Sequence, residues 1–201
     1  MEVQIRPIVD RDLPELRVLQ ALSIRSFYGQ FHPPEQVEAL LDRQISALAQ
    51  AHPSLVVAVV DGELVGFAAL SSWRADTIDA VYVHPAWMRR GIGQRLVAAL
   101  ERLAIQDRKG KLCVVADVHA SGFYQALGFA VRMDYRYALG DAGTIACHKL
   151  QKSLPQNSAV AMRDWLSKLL LLLLFSFGYA AIQGQVSDWY EQSIGITGER
   201  D

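Results

Sequence analysis

One segment of the chain, residues 79–100, constrains the fold more than any other. It reads DAVYVHPAWMRRGIGQRLVAAL, and its pattern changes from a strand to a helix around a Gly-x-Gly turn. Apolar residues run up to Val83, and Pro85 ends the strand. After the glycines, apolar residues recur at the spacing of one helix face; they are Leu96, Val97, Leu100 and Leu103. The segment predicts a buried strand that leads through a tight turn into an amphipathic helix.

The turn itself predicts a site for an anion. Successive backbone N–H groups in such a turn, together with the unpaired N–H groups of the first helical turn, point at one place. Gly91 and Gly93 allow a phosphate to approach the backbone closely, and Arg89 and Arg90 add positive charge. The pattern lacks the third glycine of a dinucleotide fingerprint and the Gly-Lys-Ser/Thr of a P-loop. A simple tight turn is the alternative interpretation of this segment taken alone.

The remaining segments predict the order β-α-α-β-β-β-α-β-α-β-β. Strands are predicted at Val3–Ile8, Ser54–Val60, Leu64–Ser71, Thr77–Val83, Leu112–Asp117, Phe129–Tyr137 and Thr144–Leu150. Besides the helix after the glycine turn, helices are predicted from Asp12 toward Gln20, over residues 33–48, and over Ala120–Leu127. This order predicts an α/β domain in which one mixed, mostly antiparallel sheet carries helices on both faces.

The charge balance excludes one class of function. The chain has 20 basic and 21 acidic residues, whereas general nucleic-acid binders show a basic excess or stripe, so no nucleic-acid partner is expected. Cys113 and Cys147 lie in apolar stretches and are predicted to be buried, reduced thiols. No Cys/His spacing matches a zinc site, so no metal is expected.

Two motifs resemble the signatures of the GCN5-related N-acetyltransferase (GNAT) superfamily. YVHPAWMRRGIGQRLVAAL resembles its coenzyme A-binding motif, and ASGFYQALGF resembles its Ala-x-x-Phe-Tyr-x-x-x-Gly-Phe signature. ACHKLQKSL is similar to the usual terminal strand, and SIRSFYGQFHPPEQVEALL to the first two helices of small bacterial members that act on small molecules. The resemblance covers residues 3–152, and the predicted order of elements is also the order of that family.

The resemblance implies acetyl-CoA as the acyl donor and a fourth strand that splays from the fifth. The pantetheine arm would lie in the V-shaped opening and pair with the backbone of Val81, Tyr82 and Val83. The pyrophosphate would bind the backbone N–H groups of Arg89, Arg90, Gly91, Ile92, Gly93 and Gln94. Met88 departs from the family pattern, which has Gln or Arg there, so we expect one polar contact fewer and a lower affinity for coenzyme A.

The family implies direct attack of an amine on the thioester in a ternary complex, without an acyl-enzyme. Tyr124 matches the tyrosine that protonates the departing thiolate, and a core aromatic is the alternative. Asp79 is the first candidate for the general base, with His84 and His119 as alternatives, while Asp117 could instead position the amine. A backbone N–H near the end of the fourth strand would stabilise the oxyanion.

The acceptor is expected to be a small-molecule amine that binds between the first two helices and nearby loops. The polar and aromatic residues there are Ser23, Arg25, Tyr28, His32 and Trp73. Each of them fits ordinary surface or core equally well. The sequence does not separate small amines from protein acceptors. A catalytically weak acyl-CoA-binding sensory module is the alternative from a different class of function, and Met88 favours it.

A hydrophobic segment at residues 165–187 predicts a transmembrane helix, after a linker at 153–164 and before a short acidic tail at 188–201. Residues 169–187 carry no charge, and as a helix they would span about 28 Å, close to a hydrocarbon core of about 30 Å. The alternative is a buried helix that packs on the domain or holds a homodimer, because the strictly apolar part, Leu169–Ile182, is short.

The charges that flank this segment predict its orientation. Arg163 and Lys168 precede it, whereas Asp188 and Glu191 follow it. Basic residues stay preferentially on the cytoplasmic side. We therefore expect a tail-anchored enzyme whose catalytic domain lies at the cytoplasmic face of the inner membrane.

Overall fold

Seven strands and four α-helices make up the part of the chain that the computed structural model describes, residues 2–48, 54–72, 74 and 76–155. The strands are β1 (Gln4–Pro7), β2 (Leu55–Val60), β3 (Glu63–Leu70), β4 (Thr77–Val83), β5 (Lys111–Asp117), β6 (Ala130–Ala138) and β7 (Thr144–Ser153). The helices are α1 (Leu13–Tyr28), α2 (Pro34–Leu48), α3 (Ile92–Gln106) and α4 (Ser121–Ala126). Their order along the chain is the predicted one.

The strands form one sheet in the order β1-β2-β3-β4-β5-β7-β6. Every neighbouring pair is antiparallel except β4 and β5, which run parallel. Helix α3 connects these two strands, as a parallel pair requires, since it cannot be joined by a tight turn. The prediction of a single mixed, mostly antiparallel sheet is confirmed.

Helices cover both faces of the sheet, which confirms the second part of the fold prediction. On one face, the buried side chain of Leu96 anchors α3 in the main core. Gly66 of β3 allows α3 to come close, because a β-carbon at residue 66 would stand 3.1 Å from Leu96 Cδ1. On the other face, Leu16 and Leu19 of α1 pack with Phe67 of β3. The sheet thus lies between two apolar layers.

Helix α1 is longer than the sequence predicts. It begins at Leu13 and ends at Tyr28 instead of near Gln20. Ser23 and Ile24 are buried and continue its inward face, so the first half of the ambiguous SIRSFYGQF segment is helical. The extra turns bring the end of α1 over the middle of the sheet, close to the site described below.

The last strand also continues beyond its predicted end. It runs to Ser153, and Leu154 is only 5% exposed and belongs to the core on the α3 face. Residues 153 and 154, the first two of the predicted linker, thus belong to the strand and to the core. The predicted hydrophobic helix at 165–187 and the acidic tail at 188–201 lie outside the described residues. Among the residues that are described, no helix has both the length and the apolar character that a membrane span needs.

Candidate active site

β4 and β5 separate after a short paired section. The parallel pairing involves Thr77 and Ile78 of β4, although β4 runs on to Val83 and β5 runs on to Asp117. Beyond the paired section each strand has an edge without a neighbouring strand. We call the opening between residues 79–83 and 115–117 the β4–β5 gap. It is the splay that the family resemblance implied.

The peptide groups of Val81 and Val83 point into the β4–β5 gap. His84 donates its backbone N–H to the carbonyl oxygen of Val65 on β3 at 2.9 Å, and Tyr82 has the same orientation in the β3–β4 register. Because peptide groups alternate between the two edges of a strand, those of Val81 and Val83 turn away from β3. Two of the three predicted backbone partners thus face the gap, whereas the peptide group of Tyr82 is engaged with β3.

The turn before α3 has the backbone conformation of an anion site. Arg89 and Gly91 have positive φ angles of 61° and 78°, a region that glycine adopts without strain. The first backbone bond of the helix runs from Arg95 N–H to Gly91 O at 3.1 Å. The preceding N–H groups of the helix therefore have no acceptor within it. They are those of Ile92, Gly93 and Gln94, three of the predicted phosphate ligands.

Positive charge lies beside these N–H groups. Arg89 and Arg90 are both exposed, and the Arg90 guanidinium lies 4.8 Å from the centre of the Trp87 ring. Such a contact restrains the side chain while leaving its charge at the surface. The turn and its two arginines can therefore hold a phosphate group at the end of β4.

Helix α4 closes one side of the β4–β5 gap through Phe123. A β-carbon at Gly93 would stand 3.2 Å from Phe123 Cζ and 3.8 Å from Val83 Cγ2. The first turn of α3, the end of β4 and α4 thus meet at residue 93. Glycine at this position leaves room for the ring and for a ligand arm that passes beside it.

Tyr124 follows on the same helix and is only 7% exposed. Its ring contacts those of Phe123 and Phe129 edge to face, at centroid distances of 5.0 and 5.6 Å. Burial raises the pKa of the Tyr124 phenol, and the nearby Tyr82 adds to the effect. The hydroxyl therefore keeps its proton at neutral pH, so it can act as a proton donor and not as a base.

Two further tyrosines, both partly buried, lie on the α1 side of the gap. Burial is the main cause that raises the pKa of Tyr28 and of Tyr82. The charges of Asp117 and Tyr124 also act on Tyr28, so these groups line one region. Gln20 of α1 is fully buried there, and its side chain interacts with the Tyr82 hydroxyl, which partly offsets the effect of burial on the pKa of Tyr82. Sequence reasoning missed Gln20, because a polar residue within a helix usually marks the solvent side.

A cluster around Asp117 lies at the end of β5. Its carboxylate is fully buried and accepts from His32 Nε2 at 2.7 Å, from His119 Nδ1 at 2.8 Å and from the His119 backbone N–H at 2.7 Å. The His119 ring stacks on Phe31 at a centroid distance of 4.0 Å and is 41% exposed. The three side chains could also ligate a metal ion, since their donor atoms lie within 4.8 Å of one another. Here hydrogen bonds occupy those atoms, and the expectation of a metal-free protein stays a prediction.

Comparison with known proteins identifies the family. The profile of the acetyltransferase (GNAT) domain matches residues 15–140. This chain belongs to the GNAT family. A search of curated proteins finds no match.

Solved structures share the GNAT fold over most of this chain. The GCN5-related N-acetyltransferase "Aminotransferase, Class-II" from Rhodopseudomonas palustris is 26% identical, with a TM-score of 0.69 over 77% of this chain and 97% of that one. PaiA N-acetyltransferase from Thermoplasma acidophilum, solved in complex with coenzyme A, is 17% identical, with a TM-score of 0.62 over 76% and 99%. The ribosomal-protein-S18-alanine N-acetyltransferase of Escherichia coli is 17% identical, with a TM-score of 0.58 over 77% and 96%.

The other two residues predicted as candidate bases, Asp79 and His84, lie on or next to β4 of the GNAT domain. Asp79 is exposed, is the first β4 residue beyond the paired section, and is the extra residue at an irregularity in the β3–β4 pairing. His84 uses its Nδ1 to accept the backbone N–H of Ala86 at 3.2 Å, which stabilises the turn after β4. These two residues thus lie at opposite ends of the unpaired part of β4.

The residues predicted to bind the acceptor differ in their surroundings. Arg25 forms a bidentate pair with Glu38 at 2.8 Å on the surface, so it is not available for a substrate carboxylate. Ser23 is buried within α1, and Trp73 lies outside the described residues.

Burial raises the pKa of Cys147 to about 11, and the charge of Asp117 contributes. This thiol stays protonated at neutral pH, which agrees with a mechanism that needs no cysteine nucleophile.

Proposed function

We propose that this chain is an N-acetyltransferase that moves the acetyl group of acetyl-CoA to the amine of a small molecule by direct attack in a ternary complex. The observation that carries the proposal is the β4–β5 gap, which ends at the start of α3, where the N–H groups of residues 92–94 have no acceptor within the helix. An extended arm with amide groups fits the gap, and a pyrophosphate fits the turn. Family membership supports acetyl-CoA as the donor.

The backbone carries most of the donor binding in this proposal. The peptide groups of Val81 and Val83 bond to the amides of the pantetheine arm, as a neighbouring strand would. The N–H groups of residues 89–94 bind the pyrophosphate, and the two arginines of the turn add charge. Because these are main-chain contacts, Met88 removes only one side-chain contact and does not abolish the site.

Tyr124 is the proposed general acid. Its phenol is protonated and buried beside the gap, so it can donate to the thiolate that leaves when the amine attacks the thioester carbon. The backbone N–H of Val83 or Val81, which faces the gap, is placed to stabilise the negative charge on the carbonyl oxygen. An acid and an oxyanion donor would thus flank the reacting group from α4 and from β4.

For the base, the geometry supports His119 better than Asp79. An ionised carboxylate only accepts, so the His119 Nδ1 carries a proton toward Asp117 and Nε2 keeps its lone pair. A buried carboxylate behind an imidazole also stabilises the cation that forms when the ring takes a proton. Asp79 is exposed and lies at the closed end of the gap. We assign the removal of the amine proton to His119.

The donor site is tested first by calorimetric titration of the full chain with acetyl-CoA. Gly91→Glu should abolish binding, because it introduces a negative side chain where the pyrophosphate lies. Gly62→Glu is the matched control: Gly62 also has a positive φ, 87°, and open space around it, but it lies in the β2–β3 turn. Equal loss in both variants, or no binding by the folded wild type, would contradict the proposal.

Turnover is tested next with a panel of amines and a thiol-release assay. Binding of acetyl-CoA without thiol release would favour the sensory module over the enzyme.

We also propose that residues 165–187 hold the enzyme at the cytoplasmic face of the inner membrane. Recovery of the full chain in the soluble fraction after cell lysis would contradict this location.

A further inference from the structure

The face of the sheet opposite α3 is open along one row of residues beside the gap. Val115 of β5 lies opposite Lys149 of β7, which lies opposite Met133 of β6. We call these three residues the open row. Val115 is 40% exposed although β5 is an inner strand, and Met133 is 54% exposed. An inner-strand valine with this exposure marks a part of the face that no described element covers.

The open row lies on the side from which an acceptor must come. The side chains of Leu112, Val114 and Ala116 enter the core beneath α3, so alternation turns Val115 to the opposite face. The donor site at the start of α3 occupies the first face. An acceptor that meets the thioester in the gap therefore approaches across the second face, where Asp117 and its two histidines also lie.

The open row begins at the edge of the gap. The N–H of Val118 bonds to Ala146 O of β7. Because peptide groups alternate between the two edges of a strand, those of Val115 and Asp117 face away from β7, toward β4. Neighbouring strands lie about 5 Å apart. A molecule that extends from the gap over Val115 thus reaches Lys149 and then Met133 within about 10 Å.

Lys149 is a half-buried cation that pairs with none of the described residues. Elsewhere in the domain, Lys152 pairs with Glu101 at 2.6 Å and Arg25 pairs with Glu38. Lys149 forms no hydrogen bond or ion pair with any residue that the structure describes, and Asp117, on the same face of the sheet, is engaged by two histidines. Apolar side chains flank the ammonium on both neighbouring strands.

We propose that the open row is an acceptor subsite that selects amines with a carboxylate at the far end of an apolar chain or ring. Val115 and Met133 would contact the apolar part, Lys149 would pair with the carboxylate, and the amine would lie at the gap near His119. The single positive charge of Lys149 matches the single negative charge of a carboxylate. This inference rests on the proposed function and names the substrate class of the same site.

The test compares ω-amino carboxylates of increasing length with their methyl esters. The wild type should prefer the carboxylate of the best length by tenfold or more in kcat/KM, and Lys149→Met should remove that preference while leaving the esters unchanged. Lys111→Met is the matched control, because Lys111 lies on the same face of β5, four residues or about 13 Å from Val115. Equal rates for acid and ester, or a preference that survives in Lys149→Met, would overturn the subsite.

A second readout keeps this inference separate from the proposed function. Calorimetric binding of the same carboxylates in the presence of coenzyme A needs no turnover, and Lys149→Met should weaken it about tenfold. If no amine is acetylated but this binding and its loss are observed, the enzyme proposal fails and the subsite stands. If sedimentation shows a dimer that Met133→Asp dissociates, with unchanged acceptor preference, the open row is an interface between copies and not a subsite.

Discussion

The ring of Phe123 lies over Gly93 so closely that a β-carbon at residue 93 would stand 3.2 Å from Phe123 Cζ. The two residues belong to α4 and α3, and Val83 at the end of β4 lies next to both. Glycine at residue 93 therefore has two functions: its N–H is one of the helix-start donors, and its missing side chain leaves room for the ring. A side chain here would push Phe123 toward the gap or away from α3.

Gly93→Ala should weaken acetyl-CoA binding about tenfold, because the ring must shift beside the path of the pantetheine arm. Gly122→Ala is the control, since a β-carbon at residue 122 meets nothing within 4 Å and alanine favours a helix. Calorimetry should find normal affinity in Gly122→Ala. Normal affinity in both variants would show that the Phe123 ring does not border the bound donor.

Tyr124→Phe should lower kcat about 100-fold or more with little change in the KM for acetyl-CoA, because it removes a proton donor and not a binding contact. The ring and its contacts with Phe123 and Phe129 are kept, so the midpoint of thermal unfolding should stay close to that of the wild type. Steady-state thiol release and a thermal melt together test the assignment. A variant that unfolds early with proportionate loss of activity would make Tyr124 a core residue only.

The parts of the site that lie within one local pattern could be predicted from the sequence. The strand, the glycine turn and the helix at residues 79–100 follow from periodicity and from glycine conformation, and the structure places Gly91 as the helix cap with positive φ. The finer assignment of backbone partners could not be predicted. Whether Val81 or Tyr82 faces the gap depends on the β3–β4 register, which periodicity alone does not give.

Contacts between segments that lie far apart in the sequence could not be predicted from it. His32 and Asp117 are 85 residues apart, and they meet because the extended α1 carries the following turn to the end of β5. The sequence allows Arg25 to bind a substrate carboxylate, yet in the structure Arg25 pairs with Glu38 of α2. In each case a side chain found its partner through the packing of two elements, and no spacing in the sequence encodes that packing.

His119→Gln should lower kcat/KM about 100-fold and change its pH dependence, because the reaction would then rely on amine that is already deprotonated in solution. Activity of this variant should keep rising until the pH at which the free amine loses its own proton. Asp79→Asn should retain the wild-type profile. The reverse result, an altered profile in Asp79→Asn and a normal one in His119→Gln, would assign the base to Asp79.

The N-terminal ion pair predicts how stability depends on pH. Arg6 binds both carboxylate oxygens of Asp12 at 2.6 and 2.9 Å, and this bond lowers the pKa of Asp12. A lowered pKa stabilises the fold above the ordinary value of about 4, and the contribution is lost as the pH falls through the folded-state value. Asp12→Asn should therefore reduce the free energy of unfolding by about 1 to 2 kcal/mol at pH 7 and by much less at pH 3. Urea unfolding of the wild type and of Asp12→Asn at both pH values checks this, and the exposed Asp10→Asn serves as control. An equal loss of unfolding free energy at pH 7 and at pH 3 would show that the charge of the pair contributes nothing to stability.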